Sequence, residues 1–256
     1  RRQRQMCIRD SDRTYRELLA QGELISTELF YHHLQERKVP ARLLPALHFM
    51  SIDENQEPEL EKISSRLKPL VRSMESVDIL VTQGYICRNH INEIDNLKRG
   101  GSDYTASLIG AAVNAEEVQI WTDIDGMHNN DPRVVGKTLP IAELTFDEAS
   151  ELAYFGAKIL HPSTILPAQR YGIPVRLKNT MDEKAEGTII SEKGTRGQFK
   201  AVAAKDGITC VRIRSSRMLL AYGFLRKVFE VFERYRTSID MITTSEVAVS
   251  VTVDDA

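Results

Sequence analysis

The chain has 256 residues, 42% of them apolar, which is enough for a sizeable core and for more than one domain. Its formal net charge of -2 gives no global signal for a nucleic-acid or membrane partner, and no apolar run approaches the ~20 residues of a transmembrane helix. Cys7, Cys87 and Cys210 are odd in number, far apart and in no C-x-x-C pair, and the histidines show no ligand spacing. That usage fits a reducing, cytoplasmic setting and argues against a disulfide framework or a protein-bound metal.

In chain order, residues 1–11 ("RRQRQMCIRD" and the next residue) are basic without an apolar stretch, which predicts a disordered or unrelated leader rather than a secretory signal. A helix is expected from Glu23 to Arg37, with Leu24, Leu29 and Leu34 toward one face. "VDILVTQGY" (Val77–Tyr85) reads as a buried strand running into Gln83-Gly84. "SDYTASLIGAAVNA" reads as a helix with Ser102 as N-cap, and "EVQIWTDIDG" as a strand ending in a polar turn. "TFDEASELAYFGAK" is a helix in which Thr145 and Glu148 make a capping box; His161-Pro162 can start another, and "IPVRLKN" is a strand. Alternation of this kind predicts an α/β domain over 12–192, with parallel pairing and helices on both faces.

The composition then shifts to "SEKGTRGQ", and a linker is expected over 193–200. Residues 201–256 read β-α-β-β: "GITCVRIRS", the amphipathic "AYGFLRKVFEVFERY", "SIDMITTS" and "VAVSVTVDD". In the last of these Val247, Val249, Val251 and Val253 share one face. This order is half of a ferredoxin-like unit.

Ligands of open α/β sheets bind beyond the carboxyl ends of the strands, and three polar clusters fall there. They are Gln83-Gly84-Tyr85, Thr122-Asp123, and "NLKRGGSDYTAS" around Arg99. Glycines beside a helix start let backbone N–H groups approach an anion, and arginine can fork onto a carboxylate or phosphate. Locally, a tight turn with a good cap accounts for the same residues. Structural readings also suffice for Glu23 at a helix start, Asp131-Pro132-Arg133 in a turn and Lys158 at a helix end. There is no G-x-x-x-x-G-K-[ST] loop and no G-x-S-x-G elbow.

Taken together, "QGELIST", "VTQGYICRN", "KRGGSDYTA", "WTDIDG", "NDPRVV", "ELAYFGAKILHP" and "IPVRLKNT…GTII" resemble, in order and spacing, the aspartokinases of the amino-acid-kinase family. "MLLAYGFLRKVFEVFERYRTSIDMITTSEVAVSVTVD" resembles their first ACT regulatory domain, with wording like the single-function, lysine-responsive branch. The resemblance implies a three-layer αβα sandwich with a mainly parallel sheet, followed by a partial ferredoxin-like ACT domain. It also implies phosphoryl transfer from ATP, with Mg²⁺, to the side-chain carboxylate of L-aspartate. That is the first step toward lysine, threonine and methionine.

On this resemblance Glu23, Gly84, Tyr85, Arg99, Ser102 and Asp103 bind the amino acid, Glu23 at its ammonium and Arg99 at its α-carboxylate. Thr122, Asp123, His128, Asp131, Arg133 and Lys158 hold the nucleotide, and Arg99, Asp103 and Lys158 carry the catalysis. Met218, Gly223, Phe224, Leu225, Ser238, Asp240, Thr244, Ser245 and Glu246 match the effector pocket, where the two acids suit lysine. The ACT domains of two chains are expected to pair as a homodimer.

The sequence departs from the family pattern in several places. The family's initial Lys-Phe-Gly-Gly-Thr segment and the threonine-bearing segment after it have no counterpart. His128 stands where a tyrosine is usual, "SIDENQEPE" is unlike the usual stretch, and the ACT unit stops after its third strand. A fragment of a longer enzyme, with little turnover by itself, is therefore expected. Two other readings are a non-catalytic amino-acid sensor and a kinase of the same fold acting on acetylglutamate, glutamate or a nucleotide.

Overall fold

The computed structural model describes residues 2–74, 76–98, 100–131, 134–155, 160, 162–194, 199–215 and 222–254, with side chains from residue 12 onward except at 162 and 163. The chain divides into two compact units, Arg1–Ala203 and Ala204–Ala256.

The first unit opens on α1 (Arg2–Glu36), which is far longer than the helix expected from Glu23. Residues 2–11, expected as a disordered or unrelated leader, are backbone of this helix, and Glu23 lies in its middle rather than at its start. Helix formers and the i,i+4 ion pair Arg13–Glu17 (2.9 Å) carry the helix through Gly22. A Cβ at Gly22 would meet nothing within 4 Å, so the position costs only the ~1 kcal/mol of an interior glycine. Next come β1 (Ala41–Leu43), a 3₁₀ turn, α2 (Leu60–Arg72), β2 (Ile79–Val81), and the hairpin β3 (Ile86–Arg88) and β4 (Ile94–Asn96). Arg16 of α1 holds this hairpin: its Nη2 lies 3.1 Å from Glu93 Oε2, and its Nε donates to the Ile94 carbonyl at 3.3 Å.

Then follow α3 (Gly101–Val113), β5 (Val118–Thr122), β6 (Glu143–Thr145), α4 (Phe146–Tyr154), α5 (Pro162–Arg170), β7 (Val175–Asn179) and β8 (Thr188–Ser191). Among the described residues the unit contains a parallel β1–β2 pair, the β3–β4 hairpin, and a sheet ordered β5-β7-β8-β6. In that sheet β5–β7 and β6–β8 are parallel and β7–β8 antiparallel. The mainly parallel α/β architecture agrees with expectation, but β2 and β5 do not pair, so the sheet is divided. The buried strand expected over Val77–Tyr85 is three residues long, Ile79–Val81, and Ile79 is 39% exposed.

Val118, Ile120, Val175 and Leu177 are buried in one cluster with Leu144, Phe146 and Ile165. The opposite face of the β5–β7 pair carries Gln119, Trp121, Arg176 and Lys178. A second cluster joins α1, α2, β3 and α3 through residues such as Ala20, Ile63, Leu67, Ile86 and Leu108. Helix α3 serves both clusters, with Ala111 in one and Ala112 in the other. Its small residues allow this: a Cβ on Gly110 would stand 2.5 Å from Val118 Cγ2. The capping box of α4 forms as expected, Thr145 Oγ1 accepting from the Glu148 N–H (3.2 Å) and Glu148 Oε2 from the Thr145 N–H (2.8 Å). Residues expected as linker belong partly to this unit, since Lys200 Nζ lies 2.8 Å from Glu148 Oε2 and the Val202 N–H donates to the Asn129 carbonyl.

The second unit holds β9 (Ile208–Arg214), α6 (Phe224–Arg234), β10 (Met241–Thr244) and β11 (Ala248–Asp254) in an antiparallel sheet ordered β10-β11-β9. Val249, Val251 and Val253 pack with Phe224, Phe232 and Ile239. Val247, expected on that face, precedes the strand and is exposed.

Candidate functional site

The carboxyl end of β2 leads into Thr82, Gln83, Gly84 and Tyr85. Gln83 is buried and doubly bonded: its Oε1 accepts from the Ala46 N–H at 2.8 Å and its Nε2 donates to Thr27 Oγ1 at 2.8 Å. The Thr27 hydroxyl in turn lies 2.7 Å from the Glu23 carbonyl. A side chain at the strand end thereby fixes the turn of α1 that carries Glu23. Tyr85 is left-handed (φ 66°), and its N–H donates to Thr105 Oγ1 at 3.1 Å. The Thr105 hydroxyl donates to the Gly101 carbonyl at 2.7 Å, so the substrate-side loop is bolted to the first turn of α3.

The cap of that helix differs from expectation. Gly100, at φ 68°, is the N-cap without a side-chain bond, and Ser102 lies inside the helix against Gly84. A Cβ on Gly84 would be 2.9 Å from Ser102 Cβ, and one on Gly101 would be 2.7 Å from Tyr85 Cδ2. The two glycines are thus places of close approach between loop and helix.

Two adjoining cavities result. One, of about 460 Å³, lies between Gln83-Gly84, the inner side of α3 and the free edge of β5 at Val118-Gln119. The other, of about 450 Å³, is lined by Leu19, Tyr85, Lys98, Gly100, Gly101 and Asp103. Glu23 and Ser102 line both. Burial pushes the Asp103 carboxyl above the ordinary aspartate value. The second cavity therefore presents two carboxyl groups, Glu23 and Asp103, and one ammonium, Lys98. An α-amino acid carries the complementary pair of charges. Five of the six expected amino-acid-binding residues are brought together here, and Arg99 lies outside the described residues.

Among the described residues, the expected nucleotide residues Thr122, Asp123, His128 and Asp131 line neither cavity. Thr122 and Asp123 stand at the carboxyl end of β5, with Thr122 Oγ1 3.1 Å from Asp123 Oδ1. The Asp131 carbonyl accepts from the N–H groups of Val134 (3.0 Å) and Val135 (2.9 Å). His128 has both ring nitrogens engaged, by Asp125 and by Thr138. Arg133 and Lys158 lie outside the described residues. Beside this loop Lys178 Nζ sits 4.9 Å from the centre of the Trp121 ring, a cation–π pair that joins β5 to β7.

In the second unit the described effector candidates are spread over α6 and both ends of β10. Gly223 (φ 79°) is the N-cap of α6, Phe224 packs under the sheet and Leu225 is partly exposed. Ser238 and Asp240 precede β10, whereas Thr244, Ser245 and Glu246 lie at its other end. Ser245 lines a pocket of about 310 Å³ with Arg212 and Arg214, a cationic lining remote in register from Asp240. Met218 lies outside the described residues.

Sequence reasoning placed Gln83 in a polar cluster without its role, and it passed over Thr27, Thr105 and Lys98. Their partners are 56 and 20 residues away in the two bonded cases, so no local pattern marks them.

Residues 2–179 match the model of the amino acid kinase family. The chain is 41% identical over 244 residues to lysine-sensitive aspartokinase 3 of Escherichia coli, covering 93% of this chain and 54% of that protein. It is 38% identical over 250 residues to the chloroplastic aspartokinase 1 of Arabidopsis thaliana, covering 94% and 44%. The crystal structure of E. coli aspartokinase III with aspartate and ADP superposes with a TM-score of 0.82 at 39% identity, over 94% of this chain and 55% of that one. The same enzyme with lysine and aspartate gives 0.76 at 40% identity, over 93% and 54%. The chain spans about half the length of the curated relatives it matches. With a matching family model over most of its length and a pocket built from the strand-end and helix-start residues of its first unit, the chain belongs to the amino acid kinase family.

Proposed function

We propose that this chain carries the amino-acid site of an aspartate kinase. The observation that carries the reading is the convergence of Glu23, Gly84, Tyr85, Ser102 and Asp103 on two adjoining cavities with a zwitterionic lining. In the proposed reaction a side-chain carboxylate oxygen of L-aspartate attacks the γ-phosphorus of ATP. The bond to the β,γ-bridging oxygen breaks, leaving an acyl phosphate and ADP. Such a transfer needs positioning and charge neutralisation more than covalent help from the protein. Glu23 receives the substrate ammonium, Lys98 meets a carboxylate, and Arg99 takes the α-carboxylate as the family resemblance implies, while the narrow Gly84–Ser102 contact fixes the depth of the site. The nucleotide lies toward Thr122, Asp123 and Asp131, with Arg133 and Lys158 as its cations. Mg²⁺ enters with the phosphates, whose charge it neutralises.

The second unit is proposed as part of an ACT domain. Its β-α-β-β order supports this, and so does the lysine bound by the E. coli relative. Exposed Val231, Met241 and Ile242 support pairing of two such units. Amide NMR of the chain tests the two sites separately. L-aspartate is expected to shift Glu23, Tyr85 and Ser102, and ADP the amides of 122–131. Shifts confined to neither region would overturn the assignment.

A further inference from the structure

One side chain joins the two ends of the loop that carries Asp131. His128 is largely buried, its side chain 12% exposed. Its Nε2 lies 2.6 Å from Asp125 Oδ1 and its Nδ1 2.8 Å from Thr138 Oγ1. A neutral imidazole has one donor and one acceptor. The hydrogen bond from His128 holds the Asp125 carboxyl below its ordinary value, so Asp125 is an acceptor only. Nε2 therefore donates to Asp125, and Nδ1 shares the second bond with the Thr138 hydroxyl. Neither nitrogen is left for a ligand.

The neck of this loop is a short ladder. The Asn129 N–H donates to the Leu139 carbonyl (3.0 Å), and the Leu139 N–H donates to Asn129 Oδ1 (2.9 Å). Below it the Ile141 N–H donates to the Met127 carbonyl (2.7 Å), and the Met127 N–H donates to Thr188 Oγ1 of β8 (2.8 Å). From just before the neck His128 reaches Thr138, just inside the loop, on one side and Asp125 on the other.

We infer that His128 is a positioning residue, which clasps the loop through Asp125 and Thr138 and sets the place of Asp131 without touching the nucleotide itself. The inference deepens the proposed nucleotide side of the site and rests on that reading.

The test uses the whole chain with three substitutions, His128→Phe, Thr138→Val and Thr138→Ser. Without ligand, hydrogen exchange at the Asn129 and Leu139 amides is expected to speed up about tenfold in the Phe and Val variants, the loss of roughly one hydrogen bond. The Met127 and Ile141 amides are expected to stay protected, and Thr138→Ser to behave as the wild type. In ADP titrations the same two variants are expected to bind about tenfold more weakly, with affinity restored in Thr138→Ser. Unchanged exchange in both would overturn the clasp. If His128→Phe weakens ADP binding while Thr138→Val does not, His128 touches the nucleotide and the positioning role is wrong. A wild-type chain that binds no ADP would overturn the nucleotide reading and the functional half of the inference together, whereas the exchange data would still decide whether the clasp exists.

Discussion

Gly84 and Ser102 stand so close that a methyl group on Gly84 would lie 2.9 Å from Ser102 Cβ and 3.0 Å from its Cα. The second of these is backbone, so it cannot swing aside. The contact seats the strand-end loop on the first turn of α3, between the two cavities. Gly84→Ala is therefore expected to destabilise the chain by about 1–3 kcal/mol, the usual cost of overpacking. It should also weaken L-aspartate binding more than tenfold, because the shift opens the wall that Glu23 and Ser102 share. Thermal unfolding and titration check the two effects; an unchanged Tm would show that the contact yields freely.

Asp103 gives a pH-dependent prediction. Burial raises its folded-state pKa above the unfolded value, so the ionised form is disfavoured in the folded chain. The resulting loss of stability is absent well below the ordinary aspartate value of 3.8 and develops as pH rises through the raised folded value. Asp103→Asn is expected to raise Tm at pH 7 and leave it nearly unchanged at pH 3, while weakening binding of the amino acid. A variant that melts lower at pH 7 would mean that the carboxylate has a stabilising partner.

Thr145 offers a purely structural control. Its hydroxyl caps α4, and Glu148 returns the bond while also meeting Lys200. Thr145→Val keeps the shape and removes the cap. It should cost about 1 kcal/mol, or roughly 2–4 °C in Tm, without changing ligand affinity. A change in aspartate affinity would show that α4 communicates with the cavities.

The cysteines should differ sharply in reactivity. Burial pushes the Cys87 thiol up to about 12, whereas Cys210 is exposed on β9. Alkylation at pH 8 followed by peptide mapping is expected to label Cys210 and spare Cys87. Rapid labelling of Cys87 in the folded chain would show that the β3 region opens readily.

What the sequence made legible was local. The Thr145–Glu148 box needs only its own four residues, and the strands at 118–122 and 175–179 follow from short apolar alternation. Several differences turn on partners far away in the chain. Gly22 looked like a helix start, yet its open surroundings let α1 run through it, with Arg16 docked on a hairpin 77 residues on. Serine usually outranks glycine as an N-cap, but the packing of Gly101 on Tyr85 sets the turn so that Gly100 takes that place. The amino-acid residues were identified through family resemblance, and only the fold shows why Gln83, Thr27 and Thr105 accompany them. For the effector residues the matched motif spans both ends of β10.

The amino-acid site itself is tested most directly by calorimetric titration of L-aspartate into the whole chain and into Glu23→Gln. Binding to the wild type that falls at least about tenfold in the variant, which keeps the size of the side chain and removes its charge, is the predicted result. Equal affinity in the two would place the ligand's ammonium elsewhere and contradict the assignment of these cavities.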